Sequence, residues 1–282
     1  MPDQAAANPI DLAQLRREID AIDSEMHALL MKRGEIIDRL IAVKKTSETG
    51  SAFRPAREAS MMHGLVERHH GILPIDTVES IWRVIISTFT YVQAPYSVHL
   101  DVHPGEAEMR DAARFHFGFT VPIIAHDEPE AAIGAVAASR GDLALVHAGE
   151  MNEDPWWLAL TGADAPKVIA RLPFVERDDH PVALTVYAVS NPVGEAGAAE
   201  LALYSVEFAD AGEDIDLIEA RLAEAGLRLV DAFSEDDRMK ALVETDGAAT
   251  ARGIAAALAA RGFAGVGDVA WVGSHARSVK VG

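Results

Sequence analysis

The sequence predicts a multidomain chain: an all-α N-terminal domain of three helices (residues 1–95), an α/β lobe (96–195) and a C-terminal α+β module (196–282). Three observations lead there. Over residues 11–45 Gly34 is the only Gly or Pro, which is a single long helix. After Pro95 short apolar runs alternate with helical ones, the pattern of α/β or α+β structure. Beyond a Gly-, Pro- and Ala-rich stretch at 191–200, read as a linker, the element order is β-α-β-β-α-β, a split βαβ.

Within the first helix Leu12, Leu15, Ile19, Ile22, Met26 and Leu29 alternate by three and four, and the steps continue to Ile36, Leu40 and Val43. That is a seam of period 3.5. A helix of about 35 residues runs roughly 50 Å at 1.5 Å per residue. A 95-residue domain has a radius of gyration near 13 Å, so its own domain cannot cover that seam and a partner chain is expected. Polar residues 46–52 form a loop. A second helix spans 54–70 with Met61, Met62, Leu65 and Val66 as apolar positions, and 71–74 ends it. A third runs over 75–93, with Val78, Trp82, Ile85, Ile86 and Phe89 taken as one face, until Pro95 stops it.

In the lobe, strands are predicted at 97–102, 121–125, 143–147, 167–172 and 182–190, and helices at 106–117 and 129–139. In the last module, strands fall at 201–208, 227–233, 238–245 and 269–274, and helices at 214–225 and 248–261.

Composition excludes several classes of function. An apolar fraction of 49% against 24% charged is that of a globular protein, and no apolar run reaches membrane-spanning length. The first residues show no basic region followed by an apolar one, so no secretion signal is read. Zero cysteines remove disulfides, thiolate metal sites and a cysteine nucleophile, and a cytoplasmic location is expected. A net charge of −19 argues against nucleic acid as a partner. The acidity is uneven: residues 1–95 hold 11 basic and 13 acidic side chains, and residues 96–282 hold 14 and 31.

The candidate chemistry lies in the helical domain. Arg33 falls on the apolar seam, where a guanidinium needs an anion. Lys44, eleven residues on, lies on nearly the same face, and Arg16 sits near the other end. Arg57 and Glu58 open the second helix, and Gln93 closes the third on the Trp82, Ile86, Phe89 stripe. Spacing alone leaves a plainer alternative open, in which Arg33 pairs with an acid across a helical dimer, Lys44 snorkels outward and Gln93 frays.

Leu15-Arg16-Arg17-Glu18-Ile19, Lys32-Arg33, Lys44, Arg57-Glu58 and Ile81-Trp82-Arg83 through Gln93 resemble, in order and interval, the all-helical class of chorismate mutases. The resemblance covers residues 11–93. It implies an intertwined homodimer through the long helix and an isomerase that rearranges chorismate to prephenate without a cofactor. It implies that Arg33 and, from the other chain, Arg16 grip the two substrate carboxylates, that Lys44 and Gln93 donate to the ether oxygen, and that Glu58 accepts the ring hydroxyl with Arg57 steadying the site. Arg54 and Phe89 stand where the family often has an acidic and a small hydroxyl residue.

The remaining layout resembles the bifunctional chorismate mutase/prephenate dehydratase proteins, which close in a ferredoxin-like, amino-acid-sensing ACT domain. Phe117-Gly118 and Gly141-Asp142-Leu143 carry the likeness to a dehydratase lobe, and Trp271-Val272-Gly273-Ser274-His275 the likeness to a closing ACT strand. The glycine-rich opening reads His103-Pro104-Gly105-Glu106-Ala107 and the Thr-Arg-Phe motif is missing, so dehydratase activity is not expected. The ACT-like module is expected to bind an amino-acid effector or to serve in dimerisation.

Other signals carry less. His99 and His103, and His69-His70, lack a third metal ligand, and no metal is expected. Gly265-x-Gly267 follows a helix, which is not the context of a dinucleotide fingerprint. Trp156-Trp157 is read as a core or interface plug.

Overall fold

A computed structural model describes residues 11–44, 53–103, 105–149, 155–182, 184–192, 200–209, 212 and 214–281. The expected loop at 46–52 and most of the expected linker at 191–200 lie outside the described residues. The chain divides into two compact units, Met1–Glu48 and Thr49–Gly282.

The first unit is helix α1, Leu12–Lys44. Asp11 opens it, its Oδ1 accepting from the Ala13 N–H at 3.0 Å, which satisfies a donor the first turn leaves free. The 3.5-residue seam is uncovered: Leu12 is 69% exposed and Leu29 58%, and Leu15, Ile19, Ile22, Met26 and Ile36 are exposed as well. A row of apolar side chains this long is costly to leave in water.

The second unit begins with α2 (Pro55–Arg68) and α3 (Ile75–Gln93). Pro55 starts α2 where a missing N–H costs nothing. Met62 and Leu65 of α2, and Ile75, Val78 and Ile86 of α3, enter a core with Val98, Leu100, Met109, Phe117, Leu172 and Phe174 of the following segment. Met61 and Val66 pack at its edge. The buried face of α3 differs from the expected one. It consists of Ile75, Val78, Glu79, Arg83, Ile86, Ser87 and Thr90, whereas Trp82 is 38% exposed and Ile85 and Phe89 are half-buried. Apolar spacing pointed to Trp82, but ion pairs described below turn the charged stripe inward.

Next come β1 (Val98–Asp101), α4 (Glu106–Phe117), β2 (Ile123–His126), α5 (Pro129–Ala137), β3 (Leu143–His147), a 3-10 helix (Trp156–Leu160), β4 (Lys167–Leu172), β5 (Val175–Glu176) and β6 (Val186–Ser190). The last part holds β7 (Leu201–Ala209), α6 (Ile215–Glu224), β8 (Arg228–Glu235), β9 (Arg238–Asp246), α7 (Ala251–Ala260), β10 (Val269–His275) and β11 (Val279–Lys280). The caps of α6 and α7 are side chains, Asp214 Oδ1 accepting from Asp216 N–H and Thr250 Oγ1 from Gly253 N–H.

One nine-stranded mixed sheet runs β2-β1-β3-β6-β4-β10-β7-β9-β8, and β5 pairs with β11 apart from it. Strand β1 is parallel to β2 and β3, while β6 is antiparallel to β3 and β4. The β10-β7-β9-β8 portion is antiparallel throughout, the strand order of a split βαβ module. Its β7, β9 and helices α6 and α7 enclose a core of Tyr204, Val206, Phe208, Ile218, Leu222, Ile254, Leu258 and Phe263. Trp156 and Trp157, each 1% exposed, sit in a third core with Tyr187, Leu203, Leu242 and Val272, so they plug the join between lobe and C-terminal module.

Candidate functional site

Three candidate residues belong to the first unit. Arg16 is exposed, Arg33 is half-buried between Leu29 and Ile36, and Lys44 is the last residue of α1, its side chain outside the description. The other three belong to the second unit. Arg57 is exposed on the first turn of α2, and its neighbour Glu58 is 4% exposed. Gln93 is half-buried at the end of α3, where Nε2 donates to Phe89 O at 3.0 Å.

Glu58 is tied to a residue to which no role was given. Arg83 Nη1 donates to Glu58 Oε2 in a charge-assisted pair, with Arg83 fully buried. Along α3, Arg83 precedes Gln93 by ten residues, about 15 Å of helix axis. The α3 backbone at Arg83, the partner of Glu58, and that at Gln93 therefore stand at different levels of the helix.

Arg83 continues a charged stripe with Asp76 and Glu79, spaced by three and four along one face of α3. Asp76 is 3.2 Å from Arg177 Nη1, and Glu79 Oε2 is 3.4 Å from His180 Nε2, both partners lying on the segment between β5 and β6. Burial works against a proton on His180, but its hydrogen bonds to Glu79 and to Val182 O and the nearby carboxylates outweigh that and raise its pKa. His116 of α4 is fully buried; desolvation, with Arg83 and His180 nearby, holds its pKa well below the ordinary value. Tyr96 is held protonated by burial and by Glu58. The signal for this cluster was in the sequence as the 76, 79, 83 spacing.

Two more polar groups lie in the sheet. His99 Nδ1 is 2.8 Å from His126 Nε2 and His99 Nε2 is 3.3 Å from Asp142 Oδ2, while Asp142 Oδ1 accepts from Ser97 N–H. His103 stands apart, its backbone N–H donating to Asp101 Oδ1. Among the described residues no three His, Asp or Glu side chains are disposed to hold a metal ion. His275 of β10, 2% exposed, meets Glu244 Oε2 at 3.1 Å, and Arg228 Nε donates to Glu244 Oε1 at 2.9 Å. A cavity of about 440 Å³ opens beside Arg171, Arg177, His180 and Lys280.

The family model for chorismate mutase type II matches residues 15–94, so a chorismate mutase domain stands at the N-terminus of the chain, over the residues where the resemblance was read. A bifunctional chorismate mutase/prephenate dehydratase of Neisseria gonorrhoeae (strain ATCC 700825 / FA 1090) is 29% identical over 103 residues, 36% of this chain. The chain spans about a quarter, 27%, of that relative's length. Among solved structures, one described as GqqA, a novel type of quorum quenching acylases, is 17% identical with a TM-score of 0.42, over 65% of this chain and 95% of that one. A prephenate dehydratase from Arthrobacter aurescens in complex with L-Phe is 16% identical with a TM-score of 0.39, over 65% and 90%.

Proposed function

We propose that the protein is a chorismate mutase acting through its N-terminal helices as a homodimer. The observation that carries this reading is the match of residues 15–94 to the type II family. Two structural facts support it: α1 is one continuous helix bearing Arg16, Arg33 and Lys44, and its apolar seam stands uncovered in the single chain. A second copy laid along that seam would cover it and bring Arg16 to the partner's site.

The reaction is a pericyclic shift with no covalent intermediate, so the protein has to supply shape and charge. Arg33 and Arg16 of the second copy hold the two carboxylates, each by paired N–H donors. Held at both ends, the substrate keeps the compact conformer in which the reacting carbons approach. As the ether C–O bond breaks, negative charge grows on its oxygen. Lys44 and Gln93 stabilise that charge more in the transition state than in the substrate. Glu58 accepts the ring hydroxyl through Oε1, Oε2 being engaged by Arg83, and Arg57 steadies the group.

In this reading the β10-β7-β9-β8 module is ACT-like, a dimerisation or amino-acid effector domain, its split-βαβ strand order being the support. Residues 96–195 are a degenerate dehydratase-like lobe. We place the protein in the cytoplasm, as its cysteine-free composition predicts. No described helix is long and apolar enough to cross a membrane.

The name of the Neisseria relative favours one second reading, a bifunctional mutase and dehydratase. Incubating purified protein with chorismate and quantifying prephenate and phenylpyruvate tests both. Prephenate alone fits the mutase, phenylpyruvate requires the second activity, and unchanged chorismate rejects both.

A further inference from the structure

Glu58 and Arg83 form an ion pair with almost no water contact: Arg83 is fully buried and Glu58 4% exposed. Taking two charges out of water is expensive, and two apolar side chains would tie α2 to α3 at lower cost. The surroundings of Arg83 show where the arginine is held. Its guanidinium carbon stands 5.1 Å from the ring centroid of Phe174 and 5.9 Å from that of Phe117. These are cation–π distances from two rings that follow the helical domain in sequence. Phe117 and Phe174 are themselves 0% and 2% exposed in the core that also takes in α2 and α3. Among the described residues Arg83 Nε and Nη2 have no hydrogen-bond partner, so the rings and Glu58 supply the contacts that orient the guanidinium. A planar cation buried against two rings has little freedom, and a carboxylate bonded to it inherits that restriction.

We propose that Arg83 is a positioning residue of the mutase site, acting through Glu58, and that Phe117 and Phe174 transmit the packing of the α/β lobe to that carboxylate. The lobe thus has a task in the first reaction whether or not it has chemistry of its own. The inference rests on the mutase reading and goes beyond it, because it assigns a function to residues outside the 15–94 match.

The test is a double-mutant cycle on the full-length chain, with chorismate turnover as the readout and circular dichroism as the control for folding. Arg83→Lys keeps the charge and loses the planar fork. If Arg83 acts through Glu58, kcat/KM falls about tenfold in the wild-type background, the scale expected for a displaced contact group. In the Glu58→Gln background the same substitution then changes it by less than about twofold. Phe174→Leu leaves both charges in place and shows the same pattern, which keeps the test open should Arg83→Lys fail to fold. Equal losses in both backgrounds, or no loss in either, overturn the proposal and leave the mutase reading standing. A wild-type protein that turns over no chorismate removes that reading and the proposal with it.

Discussion

Gly273 of β10 and Val168 of β4 pair in parallel, and through that pair the five-stranded sheet of the lobe continues into the four strands of the C-terminal module. Gly273 has φ +153°, and a Cβ built there would collide with the backbone and side chain of Val168. Glycine is required both by the conformation and by the closeness of the two backbones.

Gly273→Ala is therefore expected to push apart the two parts of the sheet at the β4–β10 join, costing about 2–4 kcal/mol. Thermal unfolding followed by calorimetry checks this. The expected outcome is a lower midpoint, with a second transition if the C-terminal module melts by itself; an unchanged single transition would refute the close approach.

Glu244 lies between His275 and Arg228, and although burial opposes its charge, the hydrogen bonds to His275 and Arg228 hold its pKa down at about 2. A depressed carboxylate contributes stability above its unfolded pKa and loses it as pH falls through the folded value. About 3 kcal/mol at neutral pH should disappear between pH 4.5 and pH 2. Urea midpoints measured across that range should drop in the wild type, and Glu244→Gln should flatten this part of the curve.

His180 and His116 should pull stability in opposite directions. The raised pKa of His180 gives a contribution fully present below pH 6.5 that fades as pH climbs through its folded pKa. His116, kept neutral by burial, does the reverse: the unfolded chain takes up its proton below pH 6.5 and the folded one does not, so stability falls as pH drops. Imidazole titration by NMR should place His180 above the ordinary histidine range and show His116 untitrated through it. Glu79→Gln should bring the His180 midpoint down.

The seam of α1 should hold two chains together. Placing a charge there, as in Ile22→Asp with Met26→Asp, is expected to give a chain that sediments as a monomer and has lost mutase activity, since Arg16 then reaches no second site. Full activity in a sedimentation-proven monomer would reject the shared site.

Much of this architecture was legible because it rests on local periodicity. The long helix followed from a stretch whose only Gly or Pro is Gly34 and from a 3.5-residue repeat broken only at Arg33, and α3, α4, β3 and β4 begin and end at the predicted residues. The two-residue strands β5 and β11 were missed, since two residues carry no period, as was the 3-10 turn at Trp156. The α3 face was misjudged for a different reason. Apolar spacing ranked Trp82 above Arg83, but Glu58, Phe117 and Phe174 are distant in sequence, and only the tertiary fold makes a buried arginine tolerable. At the candidate site, residue types and intervals were readable along each helix. The pairing of Glu58 with Arg83 was not, because it joins two helices whose register no local pattern sets.

The most direct measurement is chorismate consumption by the purified protein alongside Arg33→Ala and Lys44→Ala. The account predicts prephenate from the wild type and a loss of at least about a hundredfold in each variant, with the dimer intact. Wild-type turnover that survives in both variants, or no turnover in the wild type, would contradict it.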